Sequence, residues 1–208
     1  SLGIEKLQKY ASLFGLNERT GIEIEEAAPQ IANEFPVMAA IGQSNNNYTT
    51  VQLARYVTAV ANEGTVYQYT LLNRLEDSDG NVLQTFEPQV RNQIDVLDTE
   101  EWNAIHSGMR MVVENTKEFD GFPIEAAGKT GTAQQNLKRP NHALFVGYAP
   151  YDDPEISIAT RIAYGYTSHN AAKLARNVFA YYFNVENEDE LLNGQAANGN
   201  SSSNEISD

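Results

Sequence analysis

The amino-acid sequence predicts a mixed α/β (α+β) domain in which helices surround a small sheet. Three observations point there. Apolar residues recur at spacings of three and four in four separate stretches, the period of helices with one buried face. Three strand-like runs stand together between the third and fourth of them. Hydrophobic residues make up 41% of the 208, enough for one core.

The first helix is expected over Leu2 to Gly15, with Ile4, Leu7, Tyr10, Ala11 and Phe14 on one side and Gly15 as its stop. Leu16 to Asn47 is punctuated by Pro and Gly and reads as mostly loop. A second helix is expected from Thr50 to Glu63. Thr49 and Gln52 form a capping box, and Leu53, Ala54, Val57 and Ala61 form the buried stripe. Thr65 to Phe86 alternates like strands around an Asp79-Gly80 turn. A third helix runs from Thr99 to Glu114, capped by Asp98 and Glu101, with Trp102, Ile105, Met109 and Val112 inward. The strand-like runs are Glu125 to Gln134, His142 to Ala149 and Ile156 to Ala163. A last helix spans Asn170 to Phe183, with Leu174, Val178, Tyr181 and Tyr182 on one side. The ordered domain is therefore 1–184. Residues 185–208 hold six of the 28 acids, no Lys or Arg, and mostly Asn, Ser, Gly and Ala besides. They bury too little apolar area to offset chain entropy and are expected to be disordered.

Composition excludes several function classes. Fourteen basic against 28 acidic residues give a net charge of −14. Nucleic acid and anionic membranes need Lys and Arg to meet phosphate, so neither is an expected partner. With no Cys, disulfide scaffolds, thiol catalysis and Cys-bound metals are out. No run of ~20 apolar residues is present to span a bilayer. The chain opens on Ser1 directly into a helical pattern, which reads as a piece of a longer polypeptide.

Most candidate motifs fail on spacing. Gly128-Lys129-Thr130 would need a Gly five positions before Gly128 to be a phosphate loop, and Pro123 stands there without an N–H. His106, His142 and His169 lie at no ligand spacing, so no metal is expected. No pair of carboxylates stands out for glycoside chemistry. Gly42-Gln43-Ser44 begins like a nucleophile elbow but has Asn46 in place of the required Gly.

Ala127 to Gln134, Ala-Gly-Lys-Thr-Gly-Thr-Ala-Gln, is the remaining candidate. Gly131 lets another backbone or a flat ligand approach the strand closely. Lys129 offers a point charge to a carboxylate, Thr130 and Thr132 offer hydroxyls, and the Thr132 N–H can face a developing oxyanion. The same residues equally describe a polar edge strand guarded by Lys.

Lys-Thr-Gly is also one of the signature motifs of penicillin-binding proteins and serine β-lactamases. Here Gly128 to Gln134 is followed by His142-Ala-Leu-Phe-Val-Gly-Tyr-Ala-Pro150 and Asp153-Pro-Glu-Ile156. Upstream lie Leu13-Phe-Gly15, Thr20-Gly-Ile22, Ile41-Gly-Gln43, Thr49 and Gln52-Leu-Ala54. Together these resemble the C-terminal part of the transpeptidase domain of class B, monofunctional penicillin-binding proteins, over Leu2 to Phe183. The resemblance implies a partial penicillin-binding protein/serine β-lactamase-like fold, an antiparallel sheet flanked by helices. It implies peptidoglycan D,D-transpeptidation, in which an active serine takes the acyl group of a D-Ala-D-Ala stem peptide and passes it to a neighbouring amine. β-Lactam antibiotics would acylate the same serine. No cofactor is implied. The place would be the outer face of a bacterial membrane, reached through an upstream anchor and shared with other cell-wall synthesis proteins.

By the same resemblance Lys129 and Thr132 serve catalysis, and Thr130, Gly131, Thr132 and Gln134 bind substrate. The family's Ser-x-x-Lys is absent from this sequence. Ser44-Asn45-Asn46 matches Ser-x-Asn only in letters, since the family's motif precedes the segment resembling Leu2 to Gly15. The nucleophile is thus expected upstream of Ser1, with this chain inert alone and the outer edge of Ile156 to Ala163 bare. A penicillin-recognising sensor, a silent structural homologue or a serine β-lactamase would share the same Lys-Thr-Gly wall.

Overall fold

The computed structural model describes residues 3–192. Helix α1 (Ile4–Leu13) and a short α2 (Pro36–Ala40) precede α3 (Thr50–Ala61). Strands β1 (Thr65–Gln68), β2 (Arg74–Glu76), β3 (Val82–Thr85) and β4 (Gln89–Gln93) lead to α4 (Thr99–Glu114). After a 3-10 turn at Lys117–Phe119 come β5 (Ala127–Ala133), β6 (His142–Ala149) and β7 (Ile156–Ile162), then α5 (Ser168–Tyr182) and α6 (Glu188–Leu192).

Both expected capping boxes form. The Thr49 hydroxyl accepts the Gln52 N–H at 3.2 Å, and the Gln52 side chain accepts the Thr49 N–H at 2.7 Å. Asp98 and Glu101 do the same at 2.9 Å in each direction. A cap of this kind stabilises a helix by about 1 kcal/mol.

The sheet that organises the domain has the order β5-β6-β7, antiparallel throughout. Helix α5 covers one face. Its Ala171, Ala172, Ala175 and Phe179 pack on Ala143, Phe145 and Ala149 of β6. On the other face Val57 of α3 and Met109 of α4 meet Ala127, Val146 and Tyr148. Phe145 is fully buried and stacks on Phe119 at 5.7 Å. Two glycines make room for its ring: a Cβ on Gly147 would lie 2.7 Å from Phe145 Cε1, and one on Gly128 would lie 2.8 Å from Phe145 Cε2 and closer still to Cζ. Among the described residues β7 pairs only with β6, so its outer edge carries no strand.

Several expectations are corrected. The segment read as mostly loop is so, apart from the short α2, but it is tied down by polar groups: buried Glu26 accepts the Thr20 N–H (2.7 Å), the Thr20 hydroxyl (3.0 Å) and the Thr49 hydroxyl (3.2 Å). Strand β1 pairs with β4, outside the expected 65–86 strand region, while β2 and β3 form the hairpin around Asp79-Gly80. Helix α3 buries Gln52 and Arg55 as well as Val57, because their side chains satisfy loop carbonyls, whereas Leu53, Ala54 and Ala61 are half-buried. In α5 the side bearing Leu174, Val178, Tyr181 and Tyr182 is exposed. The alanine side packs instead, since small side chains let the helix lie close to the sheet. Of the stretch 185–208, expected to be disordered, the described part ends in the short α6 (Glu188–Leu192), and residues 193–208 lie outside the described residues, so that expectation stands untested.

Candidate functional site

Lys129, Thr130, Gly131 and Thr132 all lie on β5, and Gln134 begins the loop to β6. Among the described residues β5 pairs only with β6, leaving one edge open. Register decides what each side chain faces. Lys129 stands opposite Val146 and Gly131 opposite Leu144, in the row that continues to Ala127 and the α3 side. Thr130 stands opposite Phe145 and Thr132 opposite Ala143, in the row packed by α5. Lys129 and the two threonines therefore sit on opposite faces of the strand. They converge only on a ligand lying along the open edge, which touches both rows.

Backbone polarity at that edge follows from two hydrogen bonds. The Lys129 Nζ donates to the Thr130 carbonyl at 2.9 Å, and the Gln43 side-chain amide donates to the Thr132 carbonyl at 3.3 Å. Both carbonyls point away from β6. In an antiparallel pair the N–H of a residue faces the same way as its C=O, so the Thr130 and Thr132 N–H groups face the open edge too. Lys129, Thr132 and Gln134 are exposed. A Cβ placed on Gly131 would meet only Leu144 Cβ, at an ordinary 3.5 Å. Packing does not require a glycine there, whereas it does at Gly128.

Gln43 carries no sequence signal as a site residue beyond the Ile41-Gly-Gln43 segment. Pro36 at the first turn of α2 and Gly42 in the left-handed region (φ 77°) turn the chain so that Gln43 reaches β5. The neighbouring Ser44 donates to the Glu34 carbonyl at 2.6 Å, and Asn45 and Asn46 accept the N–H groups of Asn33 and Ala32. Ser44-Asn45-Asn46 is thus a loop staple.

The histidines are also accounted for. His106 bonds the Val60 carbonyl at 2.7 Å between α4 and α3, and His169 meets Glu118 at 2.9 Å. His142 opposes Ala133 at the far end of β5 and bonds Gln135 at 2.8 Å. Burial, reinforced by the nearby Arg161 guanidinium, holds its pKa below the ordinary histidine value. Among the described residues no three His, Asp or Glu side chains gather to hold a metal. Nor is any helix there long and apolar enough to cross a membrane. Two shallow cavities, of about 320 and 270 Å³, are lined by residues around Arg19 to Glu26 and around Arg110 to Ile124, not by Lys129 to Thr132. The Lys-Thr-Gly edge is one open wall.

A family model described as the penicillin binding protein transpeptidase domain matches residues 1–180. The peptidoglycan D,D-transpeptidase MrdA of Haemophilus influenzae is 32% identical over 88% of this chain and 33% of its own length. Penicillin-binding protein 2A of Bacillus subtilis is 27% identical over 93% of the chain and 31% of its own. The chain thus spans about a third of the length of the curated relatives it matches. Among solved structures, penicillin-binding protein 2B of Streptococcus pneumoniae superposes with a TM-score of 0.76 at 25% identity, over 88% of this chain and 33% of that one. Penicillin-binding protein A of Mycobacterium tuberculosis, solved as an imipenem acyl-enzyme complex, shares the fold with a TM-score of 0.76 at 22% identity, over 86% of this chain and 42% of that one.

Proposed function

Since this chain belongs to the penicillin-binding protein transpeptidase domain family, we propose that it forms the Lys-Thr-Gly wall of a serine-type peptidoglycan D,D-transpeptidase whose nucleophile lies upstream of Ser1. The observation that carries this reading is the open edge of β5, with its outward Thr130 and Thr132 backbone groups and its unobstructed Gly131.

A stem peptide ending in D-Ala-D-Ala lies along this edge as an added strand. Gly131 gives it room. Lys129 attracts the terminal carboxylate electrostatically, and the Thr130 and Thr132 hydroxyls hold it by hydrogen bonds. Gln134 lines the end of the cleft. When the upstream serine attacks the penultimate carbonyl, the Thr132 N–H donates to the oxyanion as it forms. D-Ala departs with a proton, and the amine of a second stem peptide takes the acyl group from the serine. A β-lactam presents the same carboxylate and carbonyl to the same groups and stays on the serine as an acyl adduct. Lys138 and Arg139, on the loop after β5, add positive charge beside the wall, which favours a carboxylate-ended ligand despite the acidic chain. The parent works at the outer face of a bacterial membrane, held by an upstream anchor.

The test is Lys129→Ala in the intact protein. Transfer from a D-Ala-D-Ala donor to an amine acceptor is expected to fall by roughly 100-fold while the melting temperature stays unchanged. An unaltered rate would overturn the reading.

A further inference from the structure

The loop between β5 and β6, residues 134–141, starts where the Lys-Thr-Gly edge ends, and one imidazole holds it. His142 is 6% exposed. Its Nδ1 accepts the Tyr164 N–H at 3.1 Å. An acceptor nitrogen carries no proton, so in the neutral ring the proton is on Nε2, which donates to Gln135 Oε1 at 2.8 Å. The ring thereby joins the first part of the loop to the segment following β7.

Further contacts converge on the same junction. Arg139 donates to the Tyr164 hydroxyl at 2.8 Å and lies 5.2 Å from the centre of that ring. The Tyr164 and His142 rings are 4.9 Å apart. The Tyr166 N–H donates to the Asn141 carbonyl at 3.1 Å. Tyr164 and Tyr166 both hold positive φ, at 55° and 65°, a conformation that bulky residues keep only where surrounding bonds enforce it. The His142 bond to the Tyr164 N–H is one of those bonds.

Protonation would break this arrangement at two points. A proton on Nδ1 would confront the Tyr164 N–H, donor against donor. It would also place a cation against Arg161, whose Nη2 lies 3.4 and 3.5 Å from the two ring nitrogens. The charged groups facing the ring are Arg161 from β7 and, one residue further out on Tyr164, Arg139 from the loop itself. Among the described residues no carboxylate lies within ion-pair distance of His142 to compensate.

We propose that His142 is a positioning residue: neutral, it latches the β5–β6 loop beside the Lys-Thr-Gly edge; protonated, it releases the loop. The consequence for acyl transfer rests on the transpeptidase reading, whereas the latch itself does not. The sign follows from linkage. A base that binds its proton less well in the folded protein stabilises the latch fully above the ordinary histidine pKa of about 6.5. That stabilisation is lost as pH falls from there through the lower folded value.

The experiment is hydrogen–deuterium exchange of the intact protein from about pH 7.5 to about pH 4.5, read on residues 134–141 and normalised to the Asp77–Asn81 turn. Loop protection is expected to fall at least roughly threefold on acidification. In His142→Gln, whose amide can accept from Tyr164 and donate to Gln135 without titrating, protection is expected to stay level. Level protection in the wild type, or an equal fall in the variant, would overturn the latch. Long-range proton–nitrogen spectra of the wild type, which need no variant, are expected to show the Nε2–H tautomer; an Nδ1–H tautomer would overturn it as well. The rate of penicillin acylation, taken as the ratio of wild type to His142→Gln at each pH, is expected to follow loop protection. A constant ratio in a protein that does acylate would overturn the positioning role. Acid release of the loop in a protein that never acylates would uphold the latch and contradict the transpeptidase reading.

Discussion

The side-chain amide of Gln43 donates to the backbone carbonyl of Thr132 at 3.3 Å, across 89 residues of sequence. It joins the loop after α2 to the Lys-Thr-Gly strand at the residue whose N–H serves the oxyanion in the mechanism proposed above. The bond is exposed, so Gln43→Ala is expected to change stability by no more than about 1 kcal/mol. Penicillin acylation of the intact protein is expected to slow by roughly threefold to tenfold, because the edge loses a restraint. A combined thermal melt and acylation assay checks both, and an unchanged acylation rate would leave Gln43 a purely structural contact.

Gly128 and Gly131 share a strand but differ in why they are glycine. Gly128→Ala drives a methyl into Phe145 and the Val146 carbonyl, and a loss of about 2–4 kcal/mol is expected in denaturant titration. Gly131→Ala meets only Leu144 Cβ at 3.5 Å, so a change below about 1 kcal/mol is expected. Acylation is nevertheless expected to fall at least roughly tenfold in Gly131→Ala, because the methyl stands where the ligand's backbone must approach. Normal acylation in that variant would remove the edge-on ligand from the mechanism.

Arg55 is 1% exposed and holds the loop after α1 by donating to the carbonyls of Gly15, Glu18 and Arg19. Its guanidinium also lies 3.8 Å from the Glu18 carboxylate. Arg55→Leu keeps the bulk but removes the Arg19 carbonyl's donor and leaves the Gly15 and Glu18 carbonyls only the Glu18 N–H and the Gln52 amide, and a cost of about 1–3 kcal/mol is expected. Arg55→Lys is expected to recover little of it, since an ammonium cannot fork to several carbonyls. Equilibrium unfolding of both variants decides this, and a Lys variant as stable as the wild type would show that charge alone suffices.

The parts of the fold that the sequence made legible are those set by local rules. The capping residues Thr49, Gln52, Asp98 and Glu101 marked helix starts to the residue, and the strand-like runs marked β5 to β7 within two residues of their ends. Partner choice was less visible. The pairing of β1 with β4 spans the β2–β3 hairpin, and nothing in its local pattern announces that. Burial departs from hydropathy wherever a polar side chain bonds buried carbonyls or a small residue packs closely. Arg55 and Gln52 look like surface positions until their carbonyl partners are in place. The alanines of α5 are weaker hydrophobes than Leu174 or Tyr181, yet they lie against the sheet. At the candidate site, the residue types of Lys129 to Thr132 suit a ligand and a guarded edge strand equally, and only the Lys-Thr-Gly resemblance singles them out. The contribution of Gln43 and the hold of His142 on the loop were not legible, because both depend on contacts between distant segments.

The most direct measurement is covalent labelling by a fluorescent penicillin, run on the intact protein and on the 208-residue chain at equal concentration. The intact protein is expected to take the label on an upstream serine, and the chain to remain unlabelled. A covalent adduct on the chain itself would contradict the placement of the nucleophile outside it, and an unlabelled intact protein would contradict the transpeptidase.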